Sequence, residues 1–236
     1  MAGIVNSGNY APGPFAPNSL VTIFGSGLAR SSQQLTANDI SGGQLPTVLN
    51  YTQVFVDNVP SPLFYVSDSQ INFLVPSTQA VGDVKIRVAS EGSTGPEVMV
   101  TVVDSAPALF SLPDGYAIAT HVDNSLVSPD SPAHGGEIIV VYATGLGKTL
   151  PNPATGEIPK YAAPIAALSA LQVSLGGVAV DSGLIQYAGL TPLSAGLYQI
   201  NIQLPGNLPG NPGTDPEVRV TIAGQSSPAG LKLAIR

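Results

Sequence analysis

The stretch NSLVTIFGSGL, Asn18 to Leu28, is answered by GEIIVVYATGL, Gly136 to Leu146, at an offset of 118 residues. Each reads as a strand rich in β-branched residues that ends in an aromatic, two small residues and Gly-Leu. Three more blocks recur in the same order. QVFVDNV (Gln53 to Val59) matches QVSLGGV (Gln172 to Val178) at offset 119, and QINFLVP (Gln70 to Pro76) matches QINIQLP (Gln199 to Pro205) at offset 129. PEVMVTV (Pro96 to Val102) matches PEVRVTI (Pro216 to Ile222) at offset 120. Four ordered repeats mean that one module is written twice, with units expected over residues 1–112 and 113–236.

Within each copy the apolar period is two. Val84, Ile86 and Val88 alternate with Lys85 and Arg87, and Val218, Val220 and Ile222 alternate with Glu217, Arg219 and Thr221. A half-buried strand needs this pattern, because successive side chains leave a strand on opposite faces. Leu231, Leu233 and Ile235 add a closing strand to the second copy. Asp57-Asn58 and Gly176-Gly177 sit between short strands, where a two-residue hairpin turn requires positive φ. Short strands with turns about every ten residues predict an all-β fold of two tandem immunoglobulin-like β-sandwiches. Two long strand-poor stretches, Ser26 to Leu49 and Thr144 to Leu168, follow the Gly-Leu strand ends and are expected to leave equivalent ends of the two sandwiches, which present them at a surface as interaction loops.

Composition narrows the function. Across 236 residues there are 22 Pro and 26 Gly, a density that breaks long helices. Charged residues make up 10% and the net charge is −7. Eight Lys and Arg in total cannot form the basic face that nucleic-acid binding needs. Such a weakly charged surface is poorly guarded against self-association, so strand edges able to pair between chains enter as a possible partner mode. Without cysteine there is no disulfide, thiolate nucleophile or sulfur-ligated zinc. No apolar run approaches the ~20 residues of a membrane span, and the export signal of a secreted protein would lie upstream of Met1.

Motifs of chemistry are sparse. GLGKT, Gly145 to Thr149, resembles the end of a phosphate-binding loop, but that loop needs a Gly where Tyr142 stands. The two histidines, His121 and His134, read as exposed loop residues. A hydrolase would need one of them beside a Ser and a carboxylate. The carboxylates fall singly along turns, where they cap backbone amides. The one alternative is a structural calcium near Asp114, Asp123 or Asp130, and no other cofactor or metal is expected. Tyr51, Tyr116 and Tyr161 fall in or near loops and are the candidate ligand-facing residues, since tyrosines stack on sugar rings. Phe24, Phe55, Phe64, Phe73 and Tyr142 fall on strand patterns as core residues. Asn72 and Asn201, in the paired QIN strands, read as polar groups in a core strand that satisfy loop backbone.

Val5 to Ala29, Pro62 to Pro76, Val140 to Gly147 and Ala195 to Pro205 resemble a family of uncharacterised C-terminal domains in exported proteins of Solibacter-type Acidobacteria. More distantly, each half is similar to IPT/TIG immunoglobulin-like modules. The resemblance implies an accessory domain beside other domains of a larger exported protein, with no catalytic residues to carry over. The expectation is therefore a non-catalytic interaction or structural module, extracellular or at the cell surface, serving adhesion, attachment or spacing. Two alternatives stand beside it: a glycan-binding module, and a self-assembling filament or surface-layer subunit.

Overall fold

The protein is described by a computed structural model covering residues 3–207 and 215–236. Its first ten strands are β1 (Gly3–Asn6), β2 (Leu20–Phe24), β3 (Gln33–Gln34), β4 (Thr52–Val56), β5 (Val59–Ser61), β6 (Leu63–Val66), β7 (Gln70–Leu74), β8 (Gly82–Ser90), β9 (Ser93–Thr94) and β10 (Val98–Val102). The next ten are β11 (Ala108–Leu109), β12 (Ala119–His121), β13 (Ile138–Thr144), β14 (Ala163–Pro164), β15 (Leu171–Leu175), β16 (Val178–Ala179), β17 (Ile185–Leu190), β18 (Tyr198–Gln203), β19 (Val218–Ile222) and β20 (Gln225–Ser226).

The chain folds as two tandem immunoglobulin-like sandwiches. In the first, sheet β1-β2-β7-β6-β3 faces sheet β10-β8-β4-β5; in the second, β11-β13-β18-β17-β14 faces β16-β15-β19-β20, with β12 also on β13. The alternation seen in sequence decides what is buried. Val21, Ile71 and Phe73 meet Val54, Val84 and Ile86 in the first core, while Val141, Ile200 and Ile202 meet Val173, Val218 and Val220 in the second. Both predicted hairpins form. Asp57 and Asn58 (φ 46° and 67°) turn β4 into β5, and Gly176 and Gly177 (φ 56° and 80°) turn β15 into β16.

The fourth repeat block does not mark equivalent strands. β19 pairs with β15 as β8 pairs with β4, setting Val220 opposite Val173 and Val88 opposite Val54. The counterpart of β10 is the C-terminal stretch around Lys232 to Ile235. The parallel bridge of Phe15 to Val102 recurs as Ala133 to Ile235, and Met99 opposite Lys85 recurs as Lys232 opposite Glu217. PEVMVTV and PEVRVTI thus converge on one pattern because both are half-buried strands.

The QIN strands also differ from expectation. Ile71 and Ile200 face the cores, so Asn72 and Asn201 lie on the outer faces. Asn72 Oδ1 accepts from Gln70 Nε2 (2.9 Å) and Thr22 Oγ1 (3.2 Å), and Asn201 Oδ1 accepts from Gln199 Nε2 (3.1 Å). Both therefore bond to side chains on their own sheet face rather than to loop backbone. Opposite each, a β-bulge in the neighbouring strand sets a tyrosine beside the asparagine, Tyr65 to Asn72 and Tyr187 to Asn201. Of the five aromatics expected in the core, only Phe73 is fully buried; Phe24 lines a groove, Phe64 packs at the junction between modules, Phe55 stacks under the Arg87 guanidinium (4.7 Å) and Tyr142 is half-buried.

The two long loops are not free binding loops. They form much of the junction: Leu45 N–H donates to Gly156 O (2.8 Å), Ile158 N–H donates to Gly43 O (2.9 Å), and Gln44 bridges Glu157. Leu35, Ile40 and Leu45 from the first loop pack with Leu20, Phe64, Leu74, Ile158 and Ala195 in a third apolar cluster. Polar pins add direction. Thr144 Oγ1, fully buried, accepts from Leu20 N–H (2.8 Å) and donates to Gly196 O (3.2 Å). Thr155 Oγ1 accepts from Ser77 N–H (3.1 Å), and Asn152 Nδ2 donates to Ser77 O (3.3 Å).

Candidate functional site

The first sandwich is open along one side. Edge strands β1 and β10 do not meet there, and between them lies a groove of about 850 Å³. Its walls include Ile4, Phe24, Leu28, Val88, Val98 and Val100, with hydroxyls of Ser90, Ser93 and Thr94 at the rim. Among the described residues no charged side chain lines it. The groove arises from the chain path: Pro12 to Phe15 crosses to the second sheet at one end, where Phe15 N–H donates to Thr101 O (3.0 Å) and Val103 N–H to Phe15 O (2.8 Å). Beyond that crossing β10 keeps an open edge, and Met99 is 56% exposed. A large apolar concavity with a few polar groups at its margin is the feature a ligand most readily uses. The sequence signal was the run Val98-Met99-Val100, apolar at three successive positions where alternation would have placed a polar residue.

The candidate tyrosines are not brought together as a platform. Tyr51 (77% exposed) stands on the turn between Leu49 and Thr52, and Tyr161 (81% exposed) stands on the second module's long loop. Tyr116 is not free: its ring packs against the second core and its hydroxyl donates to Asp215 (2.7 Å), which also pairs with Arg236. That hydrogen bond, reinforced by desolvation, raises the Tyr116 pKa. Burial pushes the Asp215 carboxyl upward, but Arg236 and Tyr116 outweigh it and hold it below the usual range. Among the described residues the aromatic ring pair in stacking range is Tyr10 with Phe24, centroids 6.0 Å apart and tilted by 46°.

His121 is a strand residue rather than an exposed loop residue, and its side chain is only 14% exposed. It does lie near a carboxylate and a serine. Nδ1 bonds Glu137, Nε2 lies 3.1 Å from Ser131 O, and Ser131 Oγ is 3.5 Å away. Chemistry decides its role. A carbonyl oxygen only accepts, so Nε2 carries a proton, and Nδ1 carries one against the carboxylate. The Glu137 bond, first among the causes, raises the His121 pKa and favours the imidazolium, which below that raised value has no lone pair to act as a base toward Ser131. Glu137 also accepts from His134 N–H (2.9 Å), and these bonds lower its pKa against the upward push of burial. The arrangement is a structural clamp between β12, the turn before β13 and β13's own entry. Sequence reading missed Glu137 because sixteen residues separate it from His121.

The three acids considered for calcium sit apart in local turns. Asp123 accepts from Ser125 N–H (2.9 Å) and Oγ (2.6 Å), bonds that lower its pKa, while Asp114 lies 3.4 Å from Tyr116 N–H. Among the described residues no three His, Asp or Glu side chains gather in a way that could hold a metal. No helix among them is long and apolar enough to cross a membrane. GLGKT serves the chain itself. Gly145 and Gly147 (φ 75° and 90°) receive the linker between modules, with Ala106 N–H donating to Gly145 O (2.8 Å).

The IPT/TIG domain family matches residues 5–103, most of the first sandwich, and supports immunoglobulin-like modules. No curated protein matches. Among solved structures, Bacteroides ovatus SGBP-B of a mixed-linkage glucan utilization locus, in complex with a mixed-linkage heptasaccharide, is 11% identical with a TM-score of 0.36. The match covers 94% of this chain, which spans only 42% of that one. Domains 5–6 of the S-layer protein SbsC are 10% identical with a TM-score of 0.29, covering 100% of this chain and 96% of that one.

Proposed function

We propose that this chain is a non-catalytic interaction module of an extracellular or surface-attached protein, and that it binds through the open groove of its first sandwich. The carrying observation is the contrast between the two copies: the segment Gly115 to Ala117 covers this side of the second sandwich, while the first presents about 850 Å³ of uncharged, apolar space on a body braced by the junction. The resemblance to C-terminal accessory domains of exported proteins supports the placement, with other domains of a larger protein as neighbours; the expected units of 1–112 and 113–236 meet too late in the chain, because β11 (Ala108–Leu109) already pairs with β13 of the second sandwich. A neutral apolar fluorophore, N-phenyl-1-naphthylamine, tests the groove. It should bind the native protein saturably and bind a folded Val98→Asp variant at least about tenfold more weakly. Equal binding to both refutes the groove as an interaction site.

The exposure of Tyr51 and Tyr161 favours a second reading, a sugar-binding surface. Under it, soluble polysaccharides should retard the native protein in affinity electrophoresis and release Tyr51→Ala and Tyr161→Ala. Tyr116→Ala should behave as native there, because its ring is already occupied. No retardation by any plant or bacterial glycan removes this reading.

A further inference from the structure

The groove sits where the second sandwich holds a piece of its own chain. Met99 and Lys232 are counterparts, as the pairings Met99 to Lys85 and Lys232 to Glu217 establish. On its outer edge Lys232 is fully engaged: Lys232 N–H donates to Gly115 O (3.0 Å), Ala117 N–H donates to Lys232 O (2.8 Å), and Tyr116 bridges it in parallel. The residues involved form a hairpin, closed by Leu112 N–H to Tyr116 O (2.8 Å) and Ile118 N–H to Phe110 O (2.7 Å). This hairpin leaves the edge of β13 between β11 and β12, crosses the open side of the sandwich and seals it with Ala117 and the Tyr116 ring. In the first sandwich β1 takes the place of β12 on β2, and among the described residues no strand pairs with the outer edge of β10 at Met99.

A second observation, independent of the first, points the same way. The repeated Gly-Leu turn in the second sandwich grips incoming chain so closely that a Cβ on Gly145 would stand 2.2 Å from Ala106 O. Gly27, its counterpart, has the same left-handed backbone (φ 67°), lines the groove, and among the described residues has nothing within 4 Å of where a Cβ would be. Two docking features for an extended chain are therefore built in both copies and, among the described residues, used in one.

Resting on the reading of the groove as an interaction site, we infer that it takes an extended, uncharged peptide strand from a partner polypeptide, laid parallel to β10 and bonded to the Met99 backbone. Strand addition to a sheet edge draws affinity from main-chain hydrogen bonds and selectivity from pockets for alternate side chains. The uncharged lining rejects acidic or basic segments, since a buried unpaired charge is costly. A second copy is a poor donor, because its own segment of this kind is already bonded to Lys232.

The test uses the full chain and the capped, uncharged peptide FSLPNGYAIA, the sequence of Phe110 to Ala119 with Asp114→Asn. Titration followed by ¹H–¹⁵N spectra should give saturable shifts confined to Ile4, Phe24, Gly27 and Val98 to Val100. Met99→Pro removes the amide donor on the open edge and should weaken binding at least about tenfold, while Met99→Ala keeps the amide and should bind as native. Circular dichroism and the fluorophore titration report whether each variant retains its fold and its groove. Absence of saturable shifts, equal binding by Met99→Pro, shifts centred on Lys232, or self-association in place of binding each overturn the strand proposal. If the fluorophore still binds in a Val98-dependent way, the interaction reading survives that result; if both fail, the reading falls too.

Discussion

Replacing Thr144 by Val isolates the hydrogen bonds that join the two sandwiches. Valine has almost the shape of threonine, so the fully buried site stays filled, and what is lost is one hydroxyl. That hydroxyl accepts from Leu20 N–H of the first module and donates to Gly196 O of the second. Both backbone groups are left without this partner. A buried donor or acceptor stripped of its partner costs ~1–3 kcal/mol, so the pair should cost about 2–4 kcal/mol, allowing for some relaxation. With a urea m-value of ~2–3 kcal/mol/M, the unfolding midpoint should fall by about 1 M. Thr144→Ser keeps the hydroxyl and should cost about 1 kcal/mol, for the lost methyl alone. Equilibrium urea unfolding followed by far-UV circular dichroism measures both. A Thr144→Val midpoint within about 0.2 M of native would show that the hydroxyl does not hold the modules together.

Two further outcomes follow from other features. Gly145→Ala should destabilise by more than about 2 kcal/mol, since its Cβ meets a backbone carbonyl as well as paying the left-handed strain, whereas Gly27→Ala should cost only the ~1 kcal/mol of the strain; equal losses in thermal unfolding would refute the close grip on the linker. The His121–Glu137 clamp gives stability a pH signature: the raised His121 value means its contribution is complete below about 6.5 and is lost as pH rises through that raised value, while the lowered Glu137 value means its contribution is present above about 4.5 and is lost as pH falls through the lowered one. Melting curves of native and His121→Gln protein should therefore diverge most between pH 4.5 and 6.5 and converge at alkaline pH; a pH-independent difference would mean the imidazole is not held as a cation.

Much of the fold was legible in the sequence because alternation and turn chemistry are local. Val84-Lys85-Ile86 and Val218-Arg219-Val220 declare their buried faces without any partner, and Asp57-Asn58 declares a turn that few other residues can make. What misled was correspondence between the copies. PEVMVTV and PEVRVTI look alike because half-buried strands share a pattern, yet one lies at a sheet edge and the other in the interior of its sheet. The offsets held the warning: they rise from 118 to 129 and then drop to 120, which leaves no room in the second copy for a counterpart of β8. The site was hidden for a different reason. A groove is made by what fails to cover it, and no window around Val98 to Val100 shows that Gly115 to Ala117 covers the same place in the other copy. Tyr116 looked like a loop tyrosine for the same reason, since its partner Asp215 is 99 residues away.

The hairpin at Phe110 to Ile118 puts heredity and folding out of phase. The unit expected from the sequence begins at residue 113, but part of the material that finishes the second sandwich, from the gripped Ala106 through Leu109 to Leu112, lies ahead of it. A fragment cut at the sequence boundary would inherit a whole repeat and an incomplete barrier against water. In any longer string built this way, each newcomer added upstream would act as the stopper of the one behind it.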